Sequence, residues 1–197
     1  MTAKKRIAIL ASGGGSNAAA LMKAMQDPGF PAEAVMVFSN VPGAGVLQKA
    51  KDFGVPTWAF SHKAFAGREA FDQAVLELLA EAKPDYVCLA GYLRILTPAF
   101  VRAYAGRILN IHPALLPKFG GPGMHGHHVH EAVLAAGEKE SGATVHFVDE
   151  GVDSGAIVLQ QKVPVLAGDT AESLAARVLG AEHQVYAAAL KQLCSRA

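Results

Sequence analysis

Several things are scarce in this chain. Of its 197 residues, two are cysteine and one is tryptophan. Cys88 and Cys194 lie far apart in sequence, which excludes a disulfide framework and leads us to expect a cytoplasmic protein. An excess of one charge is also missing: 18 Lys and Arg face 17 Asp and Glu, for a net of +1. A nucleic-acid or membrane-surface binder would carry a basic excess, so neither partner is expected. Although 51% of residues are hydrophobic, no apolar run approaches the length of a transmembrane helix. Much of that apolar fraction is alanine, which favours helices more than lipid. The start, Met1 to Arg6, leads into a run from Ile7 to Ala11 that is too short for a secretory leader.

What is present alternates. Arg6 to Ala11 reads as a strand, Ser12 to Asn17 as a glycine loop, and Ala18 to Gln26 as a helix. Further strands are expected at 35–38, 55–60, 86–90 and 108–111, with helices at 47–53, 68–82 and 99–104. Phe71, Val75, Leu78 and Leu79 would face the core from the long helix. Thr97-Pro98 reads as an N-cap followed by Pro at the first helical position. After residue 112 the pattern changes to a loop at 113–128, a short helix at 130–137, alternating strands at 144–148 and 157–165, and a final helix from Thr170 to about Leu193. The fold class this implies is α/β: a mostly parallel twisted sheet with helices on both faces and an antiparallel addition in the C-terminal half.

Two places carry chemistry. Gly13-Gly14-Gly15-Ser16-Asn17 joins the first strand to the first helix. Glycines let backbone approach a ligand, and unpaired N–H groups at a helix start attract an anion, so a phosphate fits; a tight turn with an ordinary cap fits as well. The spacing matches neither the dinucleotide fingerprint nor the P-loop. The second place is the end of the fifth strand, Leu109-Asn110-Ile111-His112-Pro113, where Asn110 and His112 point to one face. Ligands of open parallel sheets bind at the carboxyl ends of strands. An amide donor and an imidazole there can stabilise an oxyanion, and the imidazole can move a proton. Asp153, in an acidic glycine-flanked loop, is the best candidate to orient that imidazole. Alternatively, His112 is a structural histidine beside a proline and Asp153 a turn residue.

Four segments together resemble the phosphoribosylglycinamide formyltransferases, a branch of the folate-dependent formyltransferases. They are Gly13 to Asn17, Gly91-Tyr92-Leu93-Arg94-Ile95-Leu96, Asn110-Ile111-His112-Pro113-Ala114-Leu115-Leu116-Pro117, and His146-Phe147-Val148 with Val152-Asp153-Ser154-Gly155. The likeness runs from the first strand to the last helix. It implies one formyltransferase domain over 1–197, with a phosphate-binding half (1–105) and a folate-binding, catalytic half (106–197). It also implies direct formyl transfer from 10-formyltetrahydrofolate, as co-substrate, to the amine of glycinamide ribonucleotide, with no metal. Asn110 would donate to the oxyanion, His112 would donate or relay a proton, and Asp153 would keep His112 protonated and position a shuttling water. Gly15, Ser16, Asn17 and Glu182 would hold the ribonucleotide. Arg68, Leu93, Arg94, Ile95, Leu96, Asn110, Asp149, Gly151 and Asp153 would hold the folate. Leu179 stands where the family often has a polar contact. The chain would act as a monomer or homodimer.

The segment from Lys118 to His130 is longer than in compact members of the family, and its glycines suggest a mobile lid. Its histidines, His125, His127, His128 and His130, also fit a metal module, though no cysteine lies near. The glycine loop by itself fits a non-catalytic binder of a phosphorylated metabolite. Two related folate enzymes share the Asn-His-Asp pattern. Methionyl-tRNA formyltransferase carries an added C-terminal domain. The formyltetrahydrofolate deformylases carry an N-terminal domain and a second histidine where Pro113 stands.

Overall fold

The computed structural model describes residues 3–196. Met1 and Thr2, which open the stretch too short for a leader, lie outside the described residues. In chain order the elements are β1 (Lys5–Ala11), α1 (Ser16–Met25), β2 (Ala32–Ser39), α2 (Gly45–Asp52), β3 (Thr57–Ala59), α3 (Arg68–Ala82) and β4 (Tyr86–Leu89). They continue with α4 (Pro98–Ala103), β5 (Ile108–His112), α5 (His127–Ala135), β6 (Glu140–Phe147), β7 (Ile157–Pro164) and α6 (Ala171–Cys194).

One seven-stranded sheet runs β3-β2-β1-β4-β5-β6-β7. The first five of these pair in parallel, while β5–β6 and β6–β7 are antiparallel. This is the expected mixed α/β sheet, and the alternation of each strand divides its core in two. Ile7 and Ile9 pack with Leu21, Val46, Val133 and Tyr186, on the side of α1, α2, α5 and α6. Ala8 and Leu10 pack with Phe71, Val75, Leu79 and Phe100, on the side of α3 and α4. Strands buried on both faces read as continuous apolar runs, which is why β1 is legible in the sequence.

Most boundaries fall within a residue or two of expectation. α3 spans Arg68–Ala82 as expected, and Thr97 caps α4, accepting from the Phe100 N–H. Two details differ. On α3 the fully buried set is Phe71, Asp72, Val75 and Leu79, with Leu78 only partly covered. Asp72 is inside because its carboxylate accepts the Thr97 N–H at 2.7 Å. Helix α5 begins at His127 rather than His130; its N-cap, Gly126, offers no side-chain cap for the sequence to display.

A register shift lies between Val145 and His146 on β6, which pair with Leu159 and Ile157. Val158 is the extra residue, a bulge in the edge strand beside His146. Both cysteines are buried free thiols. Burial pushes Cys88 up to about 12 and Cys194 up to about 11, so neither is a ready nucleophile. Among the described residues no helix is long and apolar enough to cross a membrane.

Candidate active site

A cavity of about 580 Å³ opens at the carboxyl ends of β4 and β5. Its wall includes Asn110, His112, His146 and Asp153, and also Asn17, Leu179 and Glu182. Its size suits a drug-sized ligand.

The antiparallel register between β5 and β6 sets Asn110 opposite His146 and His112 opposite Thr144. Asn110 Nδ2 lies 3.2 Å from His146 Nε2. The other nitrogen of that ring, Nδ1, lies 2.9 Å from the Phe147 carbonyl and must carry a proton to bond it. Nε2 is therefore the lone-pair side and accepts from the Asn110 amide. Burial holds the pKa of His146 below the usual imidazole range, against the pull of the Phe147 carbonyl and of Asp153. The second amide hydrogen of Asn110 is left for a ligand.

His112 is 4% exposed. Its Nε2 donates to the Phe119 carbonyl at 2.7 Å, and its Nδ1 lies 3.5 Å from Asp153 Oδ2. Nε2 is thus committed to the Phe119 carbonyl, while Nδ1 stands beside the Asp153 carboxylate without a hydrogen bond to it. Asp153 is shared, since its Oδ1 is 3.6 Å from His146 Nε2. The Gly121 N–H donates to Oδ2 at 3.0 Å. Asp153 has φ +54°, a left-handed conformation that Asp tolerates better than most residues. Beneath β5, Thr144 Oγ1 donates to the Ala114 carbonyl and accepts the Leu116 N–H, pinning the turn that follows His112.

Also lining the cavity, Asn17 Nδ2 donates to Glu182 Oε2 at 2.6 Å, and Asn17 Oδ1 is buried without a partner. Burial raises the Glu182 pKa, and the Asn17 hydrogen bond opposes that shift. Gly15 caps α1 with φ +73°, and a Cβ there would press on Val46. Gly15 and Ser16 lead into Asn17 without lining the cavity themselves.

Leu93, Arg94, Ile95, Leu96, Asp149 and Gly151 all line the cavity. Leu93 is 74% exposed and Ile95 63%, unusual for large apolar side chains. The guanidinium of Arg94 stacks over Phe71 at 4.8 Å. Asp149 is occupied within its own loop, accepting from Gly151 N–H and Ser154 Oγ. Arg68 stands outside the cavity wall but donates to the Ile95 carbonyl at 3.1 Å. His125, His127 and His130 line the cavity as well, while His128 pairs with Glu131 at 3.4 Å. Among the described residues no group of three or more His, Cys, Asp or Glu is placed to hold a metal ion.

Sequence reasoning assigns no role to His146 or Phe119, and to His130 only a place in a candidate metal module. The available signal for His146 is a histidine set between Val145 and Phe147 in the strand that follows the Asn110 strand.

Comparison with known proteins decides the family. The Formyl transferase family profile matches residues 5–190. The chain belongs to the formyl transferase family. The phosphoribosylglycinamide formyltransferase of Escherichia coli (strain K12) is 44% identical over 180 residues, which cover 91% of this chain and 82% of that one. A solved structure of phosphoribosylglycinamide formyltransferase from Brucella melitensis superposes with a TM-score of 0.92 at 52% identity, covering 98% of this chain and 97% of that one. The trifunctional purine biosynthetic protein adenosine-3 of Drosophila melanogaster is 50% identical over 96% of this chain, but the match spans only 14% of that longer protein. This formyl transferase therefore shares its fold along nearly its whole length with the Brucella melitensis structure, and its sequence with bacterial and animal relatives alike.

Proposed function

We propose that this formyl transferase transfers the formyl group of 10-formyltetrahydrofolate to the amine of glycinamide ribonucleotide, a step of purine biosynthesis. The observation that carries the reading is the convergence of Asn110, His112 and Asp153 on one cavity that Asn17 and Glu182 also line. Its relatives' names point the same way.

In this reading the ribonucleotide phosphate sits at the start of α1, against Gly15, Ser16 and Asn17, where unpaired N–H groups favour an anion. Glu182, anchored by Asn17, takes the ribose side. The folate lies on Leu93, Arg94, Ile95 and Leu96 and along Asp149 to Asp153; burying the exposed Leu93 and Ile95 favours its aromatic ring system. Arg68 meets the carboxylate tail.

The amine nitrogen attacks the formyl carbon, and a tetrahedral oxyanion forms. Asn110 donates its free amide hydrogen to that oxygen, and His112 donates from Nδ1 while Nε2 anchors the ring on Phe119. Asp153 stabilises the imidazolium and orients a water that carries the proton from the attacking amine to the leaving folate nitrogen. The carbon–nitrogen bond to the folate then breaks, giving the formylated ribonucleotide and tetrahydrofolate. Neither a covalent enzyme intermediate nor a metal is used in this scheme. We further read the chain as one domain of two halves, 1–105 and 106–197, acting in the cytoplasm as a monomer or homodimer.

The test mixes the protein with glycinamide ribonucleotide and a 10-formyl folate and follows the deformylated folate by absorbance. Turnover that needs the ribonucleotide and disappears in His112→Ala supports the reading. Folate turnover without the ribonucleotide indicates a deformylase, and no turnover by folded protein indicates a binder.

A further inference from the structure

Three strands end side by side where the two ligand regions meet. Ala11 pairs with Ser39 and Leu10 with Leu89, so the next residue, Ser12, lies at the ends of β2, β1 and β4 together. Ser12 is 7% exposed, and its N–H and hydroxyl are both engaged. Its N–H donates to the Gly91 carbonyl at 3.0 Å. Its hydroxyl accepts the Leu93 N–H at 2.8 Å and donates to Asn40 Oδ1 at 2.6 Å. Because Asn40 takes the only hydroxyl hydrogen, the lone pairs of Ser12 Oγ are directed at Leu93.

Each loop has a second anchor and a free stretch: the Gly13 carbonyl accepts the Val46 N–H, and the Ile95 carbonyl accepts from Arg68, with Tyr92 and Leu96 buried. Gly13 and Gly14 have nothing within 4 Å of where a Cβ would stand, and glycine is expensive to order. The 91–96 segment leaves Leu93 and Ile95 in the open. Whatever orders one loop fixes Ser12, and through Ser12 part of the other. We propose that Ser12 is a positioning residue that couples the two substrate sites, so that filling either one favours filling the other. This rests on the ribonucleotide and folate assignments above. The coupling is entropic: the first ligand orders a junction that the second no longer has to order.

The experiment is calorimetric. The dissociation constant of a 5,8-dideazafolate lacking the formyl group is measured with and without saturating glycinamide ribonucleotide, and the ratio is the coupling factor. We expect a factor well above one in the wild type. In Ser12→Ala it should fall about fivefold, the size of one buried hydrogen bond, or to one if the starting factor is smaller. Asn40→Leu, which releases the hydroxyl without touching either loop, should lower it too and serves if Ser12→Ala does not fold. Asn40→Asp keeps an acceptor and should retain the factor. A purely structural role for Ser12 would lower melting temperature or both affinities and leave the ratio unchanged. An unchanged ratio in both Ser12→Ala and Asn40→Leu, or a wild-type ratio of one with both ligands bound, overturns the coupling while leaving the function standing. Failure of the wild type to bind either ligand overturns both.

Discussion

Asn110 Nδ2 stands 3.2 Å from Nε2 of His146, its register partner on the neighbouring strand. The Phe147 carbonyl holds the proton on the other side of that ring, so His146 can only accept. The pair thereby settles which way the Asn110 amide faces. His146→Leu should cut kcat about tenfold with little change in either KM, because the donor remains but its orientation is freed. Asn110→Ala, which removes the donor, should cost roughly 10²–10³-fold. Steady-state kinetics on both variants test the order, and a larger loss in His146→Leu would mean that this ring touches substrate.

Burial also lowers the pKa of His130 and His183 as well as that of His146. In the fold these rings are neutral. As pH falls through the ordinary imidazole value of 6.5, the unfolded chain takes up its protons first. Stability from these histidines is complete above that value and declines as pH drops toward the folded values. Melting temperature should therefore fall between pH 7.5 and 5.5, and the slope should be shallower in His146→Leu. A flat profile in the wild type would refute the assignment.

Asp153 combines a left-handed backbone with two imidazole neighbours. Asparagine tolerates the same backbone, so Asp153→Asn should fold with an unchanged melting curve. Its kcat should nevertheless drop by about 10²–10⁴-fold, the usual weight of a positioned proton-transfer group. Circular dichroism and kinetics separate the two effects, and an active Asp153→Asn would move the proton route elsewhere.

Neighbouring glycines of one loop should respond differently. Gly15 has φ +73° and a Cβ there would meet Val46 at 2.5 Å. Gly15→Ala should lose more than about 1 kcal/mol of stability and raise the KM for the ribonucleotide. Gly13 has open space, so Gly13→Ala should fold normally. Equal melting temperatures for the two variants would contradict this account.

Leu93 contributes little to the folded core, being 74% exposed. Leu93→Ser should leave stability within about 0.5 kcal/mol of wild type. It should raise the folate KM about tenfold, since the ligand then gains less apolar contact. A KM effect on the ribonucleotide alone would place the folate on another wall.

The parts of the fold legible in the sequence are those governed by near neighbours. Asn110 and His112 share a face because a strand alternates, and Gly15 follows a strand and opens a helix; both facts need only a few residues. Continuous apolar runs likewise give away the doubly covered strands. What stays hidden depends on distant pairing. His146 becomes a neighbour of Asn110 only through a register fixed by packing, across 36 residues. Asp72 is buried because of Thr97, 25 residues away. The start of α5 is hidden because its N-cap glycine carries no capping side chain. In the candidate site the residue types are readable, but the sharing of Asp153 between two rings is not.

The extra residue Val158 has a consequence of its own. β7 is the long free edge of the sheet, eight residues against three for β3 at the other edge. A long flat edge invites strands from other molecules. The bulge bends β7 away from flatness, Lys162 places a charge along it, and Pro164 closes it without a donor. One inserted residue thus sits both beside His146 and at the margin where the sheet must stop growing. Deleting Val158 would straighten that margin, and the harm would appear first in the concentration at which the protein stays in solution.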